Sequence, residues 1–305
     1  MDLTADVLLD VGFDAVDDGP SLPEDLRART LTTATTRREP RHPDWDTEPG
    51  RPALAAFLRT AAELGALLAS LGPAEWDVET AVADSTVREL VAHLVGVERY
   101  ALGQLGRRPA LPAPGREDHC VVARLASADV RGAPAAELTR TWWSEVLAVT
   151  AVGAELGPSH PISFHQLPTD IRGLFIVRTF ELWTHGDDVR RATRRPLNLL
   201  DADRLSLMSR QLLHVLSRGM AVSGTAQPGR TARINLTGDA AASYDVALAP
   251  GEVPGPPDVI ITTSALDICR LAANRLPIAQ LDAEVGGDRS LLEPILVGAG
   301  AFALD

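Results

Sequence analysis

Apolar residues recur every three or four positions through the first half of the chain, which is the spacing of one face of an α-helix. The clearest run contains Leu54, Phe57, Leu58, Ala61, Leu64, Leu67, Leu68 and Leu71. The segment Thr86-Val-Arg-Glu89 has the form of a capping box and predicts the start of a second helix. Two longer helices are predicted over about 135–156 and 169–194. Since no strand pattern separates these helices, we expect a helical bundle over residues 52–200.

The pattern changes after a further helix, predicted over 201–223 as a connection. Apolar residues then alternate with other residues at period two, as in half-buried strands. Four short strands are predicted over 231–237, 244–248, 258–262 and 281–285, with helices over 264–275 and 290–301. We therefore expect a small α+β domain over residues 224–305 and a partly ordered extension over residues 1–51. The predicted fold class is an α bundle followed by an α+β domain.

The amino-acid composition excludes several classes of function. The net charge of −12 disfavours binding to nucleic acid or to an anionic membrane, because phosphate binding depends on a basic surface. The sequence shows no secretion signal and no window near the roughly 20 apolar residues of a membrane helix. All 29 basic residues are arginine, which excludes Schiff-base chemistry on lysine, and Cys120 and Cys269 are too few for a disulfide framework. We expect a cytoplasmic protein whose partner is a small molecule.

Ionisable residues cluster on one side of the helix predicted over 169–194. At about 100° per residue, an arc of roughly 80° holds Arg178, Glu181, His185 and Asp188. Apolar residues share this arc, so the polar stripe should face the interior of the bundle. Burying four ionisable groups is costly unless they pair with one another or bind a metal ion.

Glu181 and His185 are four residues apart, so a carboxylate oxygen and an imidazole nitrogen can reach one ion. A third ligand has to come from another helix. His93 is the best candidate, because it lies on the apolar face of the second helix. Three other interpretations stay open: His93 as a hydrogen-bonded core residue, Glu181 with His185 as an ordinary helical pair, and Arg178 with Glu181 as a buried salt bridge.

Two segments, Thr86 to Glu98 and Arg178 to Val189, resemble the mycothiol-dependent maleylpyruvate isomerase family, part of the wider DinB-like group of metalloenzymes. The resemblance covers roughly residues 52–195 and implies a DinB-like four-helix bundle that binds a divalent metal, with zinc as first choice. In that family one histidine of the second helix and a Glu-x-x-x-His pair of the last helix hold the metal. The matching positions in this sequence are His93, Glu181 and His185.

The C-terminal region looks like the small sterol-carrier-like domain of the same isomerases. The similar segments are Ala-Ala-Asn-Arg275-Leu-Pro and Val-Gly-Gly-Asp288. This resemblance implies that Arg275 is a catalytic residue that binds a substrate carboxylate through a bidentate contact. A surface arginine at a helix end is the alternative. Arg178 and Asp188 are expected to orient the two ligands on their own helix.

The resemblance also implies mycothiol as a thiol cofactor. The expected reaction is isomerisation of, or S-transfer to, a small electrophile such as a maleylpyruvate-like unsaturated acid. In an isomerase the thiolate would add to a conjugated cis double bond, allow rotation and leave again. Two other functions stay open: a noncatalytic zinc-binding regulator that uses its N-terminal extension, and a hydrolase that uses metal-bound water on the same ligands.

Overall fold

The structure is a computed structural model that describes residues 51–82, 85–107, 119–164 and 167–301. The extension predicted at the N-terminus lies outside these residues, apart from Arg51, which begins the first helix. The helical part of the chain contains α1 (Arg51–Ala69), α2 (Val87–Gln104), α3 (His119–Ala126), α4 (Ala135–Leu156) and α5 (Ile171–Ala192).

Four of these helices form the predicted bundle. Helix α1 packs against α5 and α4, and α2 packs against α4 and α5. The apolar stripes read from the sequence point inward, and the largest fully buried side chains of the bundle include Phe57, Leu64, Leu90, Leu138, Trp142 and Leu174. Burial of these faces, rather than intrinsic helix propensity, is what stabilises helices of this length.

The capping box at the start of α2 is present. Thr86 Oγ1 accepts a hydrogen bond from the Glu89 amide at 3.3 Å, and Glu89 Oε2 accepts one from the Thr86 amide at 2.8 Å. These reciprocal bonds satisfy two backbone donors that the first turn of a helix leaves without partners. The cap therefore fixes where α2 begins and, with it, the height of His93 along the bundle.

Helix α3 was not predicted from the sequence. It packs closely on α2, and the contact depends on a glycine: a Cβ atom at Gly96 would lie 2.0 Å from the carbonyl oxygen of Ala123. Any side chain at this position would have to displace the backbone of α3. Gly96 therefore lets the two helices approach each other closely.

The expectation of helices without intervening strands is wrong at one place. Two short strands, β1 (Pro161–Phe164) and β2 (Leu167–Asp170), form an antiparallel hairpin between α4 and α5. Each strand has only four residues and includes a proline, so no period-two pattern marks it. The hairpin ends at Asp170, whose Oδ1 accepts a hydrogen bond from the Gly173 amide at 2.7 Å and caps α5.

The C-terminal part contains a four-stranded sheet in the order β4-β3-β5-β6. Its strands are β3 (Thr231–Thr237), β4 (Ala242–Ala247), β5 (Val259–Ser264) and β6 (Ala283–Gly287). Strands β3 and β5 are parallel, and the two outer pairs are antiparallel. As the alternation predicted, Ala232, Ile234 and Leu236 are buried on one face.

Three helices, α6 (Ala202–Val222), α7 (Ala265–Ala272) and α8 (Leu292–Gly300), accompany this sheet. Helix α6 does more than connect the two parts, because it packs against α7 and α8 as well as against α5 and α1. The domain boundaries read from the sequence stay predictions. Among the residues that the structure describes, one helical window, Pro52–Ala69, is long and apolar enough to cross a membrane, but half of it is buried, as in the core helix of a bundle.

Candidate metal centre

The three residues predicted as metal ligands converge in the middle of the bundle. His93 comes from α2, and Glu181 and His185 come from α5, one helical turn apart. One nitrogen or oxygen atom from each of the three side chains lies within 4.8 Å of the other two. Two helices that are remote in sequence therefore bring together a His, Glu, His set.

The distances within this set fit a shared ion. His93 Nε2 lies 3.2 Å from Glu181 Oε1, and the His93 and His185 rings meet edge to face with centroids 5.5 Å apart. Two ligands at ~2.0–2.1 Å from one tetrahedral zinc ion would be about 3.3 Å apart. Imidazole nitrogens with one carboxylate are a donor set that suits zinc and related divalent metals. The residues present therefore fit a divalent metal.

Arg178 holds the second oxygen of the Glu181 carboxylate. Its Nη1 donates to Glu181 Oε2, while its Nη2 donates to Glu98 Oε1 at 2.7 Å. Burial would raise the pKa of Glu181, but Arg178 and the contact with His93 hold it well below its usual range. Glu181 is therefore an anion that Arg178 keeps in one orientation, with Oε1 toward the two histidines.

Glu98 forms the far end of this network and was not singled out from the sequence. Its side chain and that of Arg178 are both fully buried. Burial raises the pKa of Glu98 even though Arg178 lies beside it, and Oε2 has no hydrogen-bond partner in the part of the chain that the structure describes. A charged residue four positions after Leu94 on the apolar face of α2 was the signal that could have identified it.

His185 is held from its other side by Asp188. His185 Nδ1 and Asp188 Oδ2 are 3.2 Å apart, and both side chains are buried. An Nδ1–H donated to this carboxylate leaves Nε2 as the unprotonated nitrogen that a metal requires. Asp188 therefore contacts His185, as its expected orienting role would require, and that role stays a prediction.

Arg275 supplies a second partner for Asp188. Its Nε donates to Asp188 Oδ1 at 2.8 Å and its Nη2 donates to Oδ2 at 2.8 Å. Burial would raise the pKa of Asp188, but the hydrogen bonds with Arg275 and His185 lower it to about 2. The bidentate contact expected between Arg275 and a substrate carboxylate is thus made to a carboxylate of the protein, and the substrate-binding role of Arg275 stays a prediction. With 11% of its side chain exposed, Arg275 is not the surface arginine of the alternative interpretation.

The local backbone explains why Arg275 reaches the bundle. Asn274 adopts a φ of 56° directly after α7, in the left-handed region that ends many helices. The Arg275 amide donates to the Arg270 carbonyl at 2.8 Å and the Asn274 amide donates to Leu271 at 2.9 Å. This is the Schellman arrangement, which ends α7 and changes the direction of the chain just before Arg275.

The site is open on one side. His93 and Glu181 each keep 18% of the side chain exposed, whereas His185 keeps 2%. A ligand from solvent would therefore approach past His93 and Glu181. On the side away from solvent lie four charged residues that pair with one another and with Glu181 or His185: Glu98, Arg178, Asp188 and Arg275.

Comparisons with known proteins found a family model and solved structures that resemble this chain. Residues 57–190 match the family model described as the mycothiol maleylpyruvate isomerase N-terminal domain. Two crystal structures of the mycothiol-dependent maleylpyruvate isomerase, one of them a histidine-to-alanine variant, are similar to this chain, with 16% sequence identity and TM-scores of 0.51 and 0.53. Each comparison covers 79% of this chain and 95% of the isomerase, and no curated protein matches. The resemblance read from the sequence is confirmed, and so is the fold.

Proposed function

We propose that this chain, whose residues 57–190 match the N-terminal domain of mycothiol maleylpyruvate isomerases, is a metal-dependent enzyme that uses a low-molecular-weight thiol. Zinc is the first choice of metal and mycothiol the first choice of thiol. The reaction class is isomerisation of, or S-transfer to, a small electrophile such as a maleylpyruvate-like unsaturated acid. The cytoplasm is the proposed location, because a low-molecular-weight thiol cofactor would be available there.

The convergence of His93, Glu181 and His185 is the observation that carries this proposal. Three protein ligands leave a coordination position for a further group, which is typical of catalytic rather than structural zinc sites. A zinc ion bound there would stabilise a thiolate at neutral pH. The buried thiol of Cys269 offers no alternative nucleophile, because burial raises its pKa and it lies outside the cluster.

The protein's own residues would hold the reacting groups in place. Arg178 holds the Glu181 carboxylate in one orientation, and Asp188 would accept a hydrogen bond from Nδ1–H of His185. Both contacts join residues three positions apart on α5, so the helix itself sets the orientation of the two side chains. The buried side of the site excludes water from the groups that set the orientation of the ligands.

Metal analysis tests the proposal directly. The purified protein should contain a stoichiometric divalent metal, and His93→Ala should lose both the metal and the thiol-dependent turnover of unsaturated acids. His214→Ala is a matched control, because His214 is exposed on α6 and should keep both. Wild-type protein without a metal, or a His93→Ala variant that retains metal and activity, would contradict the proposal.

Turnover assays distinguish the other functions that the sequence leaves open. Activity that does not depend on an added thiol would indicate a hydrolase on the same ligands. Metal binding without turnover in the presence of mycothiol or of other small thiols would favour a noncatalytic role. A thermal shift with mycothiol that disappears in His93→Ala, but not in His214→Ala, would support the thiol-dependent enzyme.

A further inference from the structure

The contact between Arg275 and Asp188 joins the C-terminal part of the chain to the candidate metal centre. The two residues are 87 positions apart, and both donor bonds measure 2.8 Å. Arg275 follows α7, beside the sheet, whereas Asp188 lies on α5 in the bundle. One ligand of the centre, His185, therefore contacts a carboxylate that a second part of the chain holds.

The geometry of this contact restricts Asp188 in a way that His185 alone cannot. Arg275 Nε and Nη2 bind both carboxylate oxygens, which is the planar, bidentate arrangement specific to a guanidinium group. One of these oxygens, Oδ2, also contacts His185 Nδ1. Since the carboxylate plane is fixed by Arg275, the direction from which Oδ2 meets the imidazole is fixed as well.

Burial makes Asp188 dependent on this partner. The Asp188 side chain is fully buried and 11% of the Arg275 side chain is exposed. A buried carboxylate that loses its cationic partner is strongly destabilised as an anion and tends to move or to change partners. Arg275 and Asp188 therefore link the C-terminal part to His185, and replacing Arg275 leaves the three predicted ligands themselves unchanged.

We propose that Arg275 is a positioning residue, which orients His185 for metal binding by fixing the Asp188 carboxylate. Metal affinity of the bundle then depends on a residue of the C-terminal part of the chain. This inference rests on the proposed function, since it requires that the three ligands bind a metal. It assigns Arg275 a role distinct from binding the carboxylate of a substrate.

Zinc affinity and cobalt spectra of the full-length protein test this role. Arg275→Gln should bind zinc roughly 10–100-fold more weakly than wild type in competition with a chromophoric chelator, as expected when a partner of a metal-bound histidine is lost. Arg275→Lys keeps the charge but not the bidentate geometry, so an intermediate loss is expected. Cobalt(II) in place of zinc should show shifted visible absorption bands in Arg275→Gln, because the histidine changes orientation.

Arg230→Gln is the matched control. Arg230 is also an arginine of the C-terminal part that contacts two carboxylates, those of Asp258 and Asp288, but it does not touch the bundle site. This variant should keep wild-type zinc affinity and cobalt bands, even if it unfolds more easily. Chemical denaturation of each variant shows that affinities are compared on folded protein.

A double-variant cycle gives the sharpest comparison. If Arg275 acts through Asp188, then Arg275→Gln combined with Asp188→Asn should weaken zinc binding no more than Asp188→Asn alone. Additive losses would overturn the inference. An Arg275→Gln variant with unchanged zinc affinity would also overturn the inference, even if its KM for substrate rises. A loss of zinc affinity in Arg230→Gln as large as that in Arg275→Gln would overturn it too. Wild-type protein that binds no divalent metal would instead refute the proposed function.

Discussion

Two arginine–carboxylate contacts of nearly equal length lie in very different surroundings. In the bundle, Arg178 Nη2 is 2.7 Å from Glu98 Oε1, and both side chains are fully buried. On the open face of the sheet, Arg233 Nε is 2.8 Å from Asp245 Oδ1, and the two side chains are 41% and 38% exposed. Arg233 donates to both oxygens of Asp245, whereas Arg178 divides its guanidinium group between Glu98 and Glu181. The donor–acceptor distances are nevertheless similar, so burial is the main difference between the two pairs.

That environment reverses the direction of the pKa shift of the carboxyl group. Burial raises the pKa of Glu98 despite its arginine, whereas the hydrogen bond with Arg233 lowers the pKa of Asp245. Solvent screens and replaces the exposed contact, but the buried groups depend on each other. In the bundle, Arg178 therefore holds buried carboxylates of the candidate site. In the sheet, Arg233 belongs to a solvent-exposed polar surface.

The largest effect is expected on removing the buried arginine. Arg178→Met keeps much of the side-chain volume but leaves Glu98 and Glu181 without their cation. Loss of one partner of a buried pair costs about 3–5 kcal/mol, so the free energy of unfolding should fall by that amount in urea denaturation. A loss as small as that of a surface substitution would show that the buried pair is not required for stability.

A smaller effect, which depends on pH, is expected at Asp188. Its pKa is lowered from 3.8 to about 2, so its contribution to stability is present above pH 4 and is lost as the pH falls toward 2. The stability advantage of wild type over Asp188→Asn should therefore shrink by about 2 kcal/mol between about pH 5 and about pH 2. Denaturation midpoints of both proteins across this range provide the measurement. A constant difference would mean that Asp188 does not titrate as the contact with Arg275 requires.

The smallest effect is expected on the sheet. Arg233→Ala removes the exposed partner of Asp245, and the free energy of unfolding should stay unchanged within the precision of urea denaturation. Zinc affinity should also be that of wild type. A loss comparable to that of Arg178→Met would show that burial does not explain the difference between the two pairs.

The helical bundle was largely predictable because its signals are local. The apolar spacing gave α1 and α4, and the capping box placed the start of α2 after Thr86. The hairpin between α4 and α5 was missed, because its two strands pair only with each other over four residues and carry prolines. Helix α3 was missed as well, since its packing against α2 depends on Gly96 rather than on a long apolar stripe.

The candidate site was predictable in part. The inward polar stripe of α5 followed from its periodicity, and the burial of Arg178, His185 and Asp188 agrees with it. His93 was chosen as the third ligand because it lies on the apolar face of the second helix, and the family resemblance supported this choice. Glu98 was not assigned a role, because a single buried carboxylate gives no indication of its partner.

The sequence by itself determined which side chains of each helix face inward, because this depends on a period of 3.6 residues within one helix. Only the tertiary structure decided which of them meet. It brings His93 to Glu181 across 88 positions, Glu98 to Arg178 across 80, and Arg275 to Asp188 across 87. Contacts at such separations follow from helix packing and from the left-handed turn at Asn274. The resemblance implied that Arg275 binds a substrate, whereas the fold brings Arg275 to the Asp188 carboxylate, which also contacts His185.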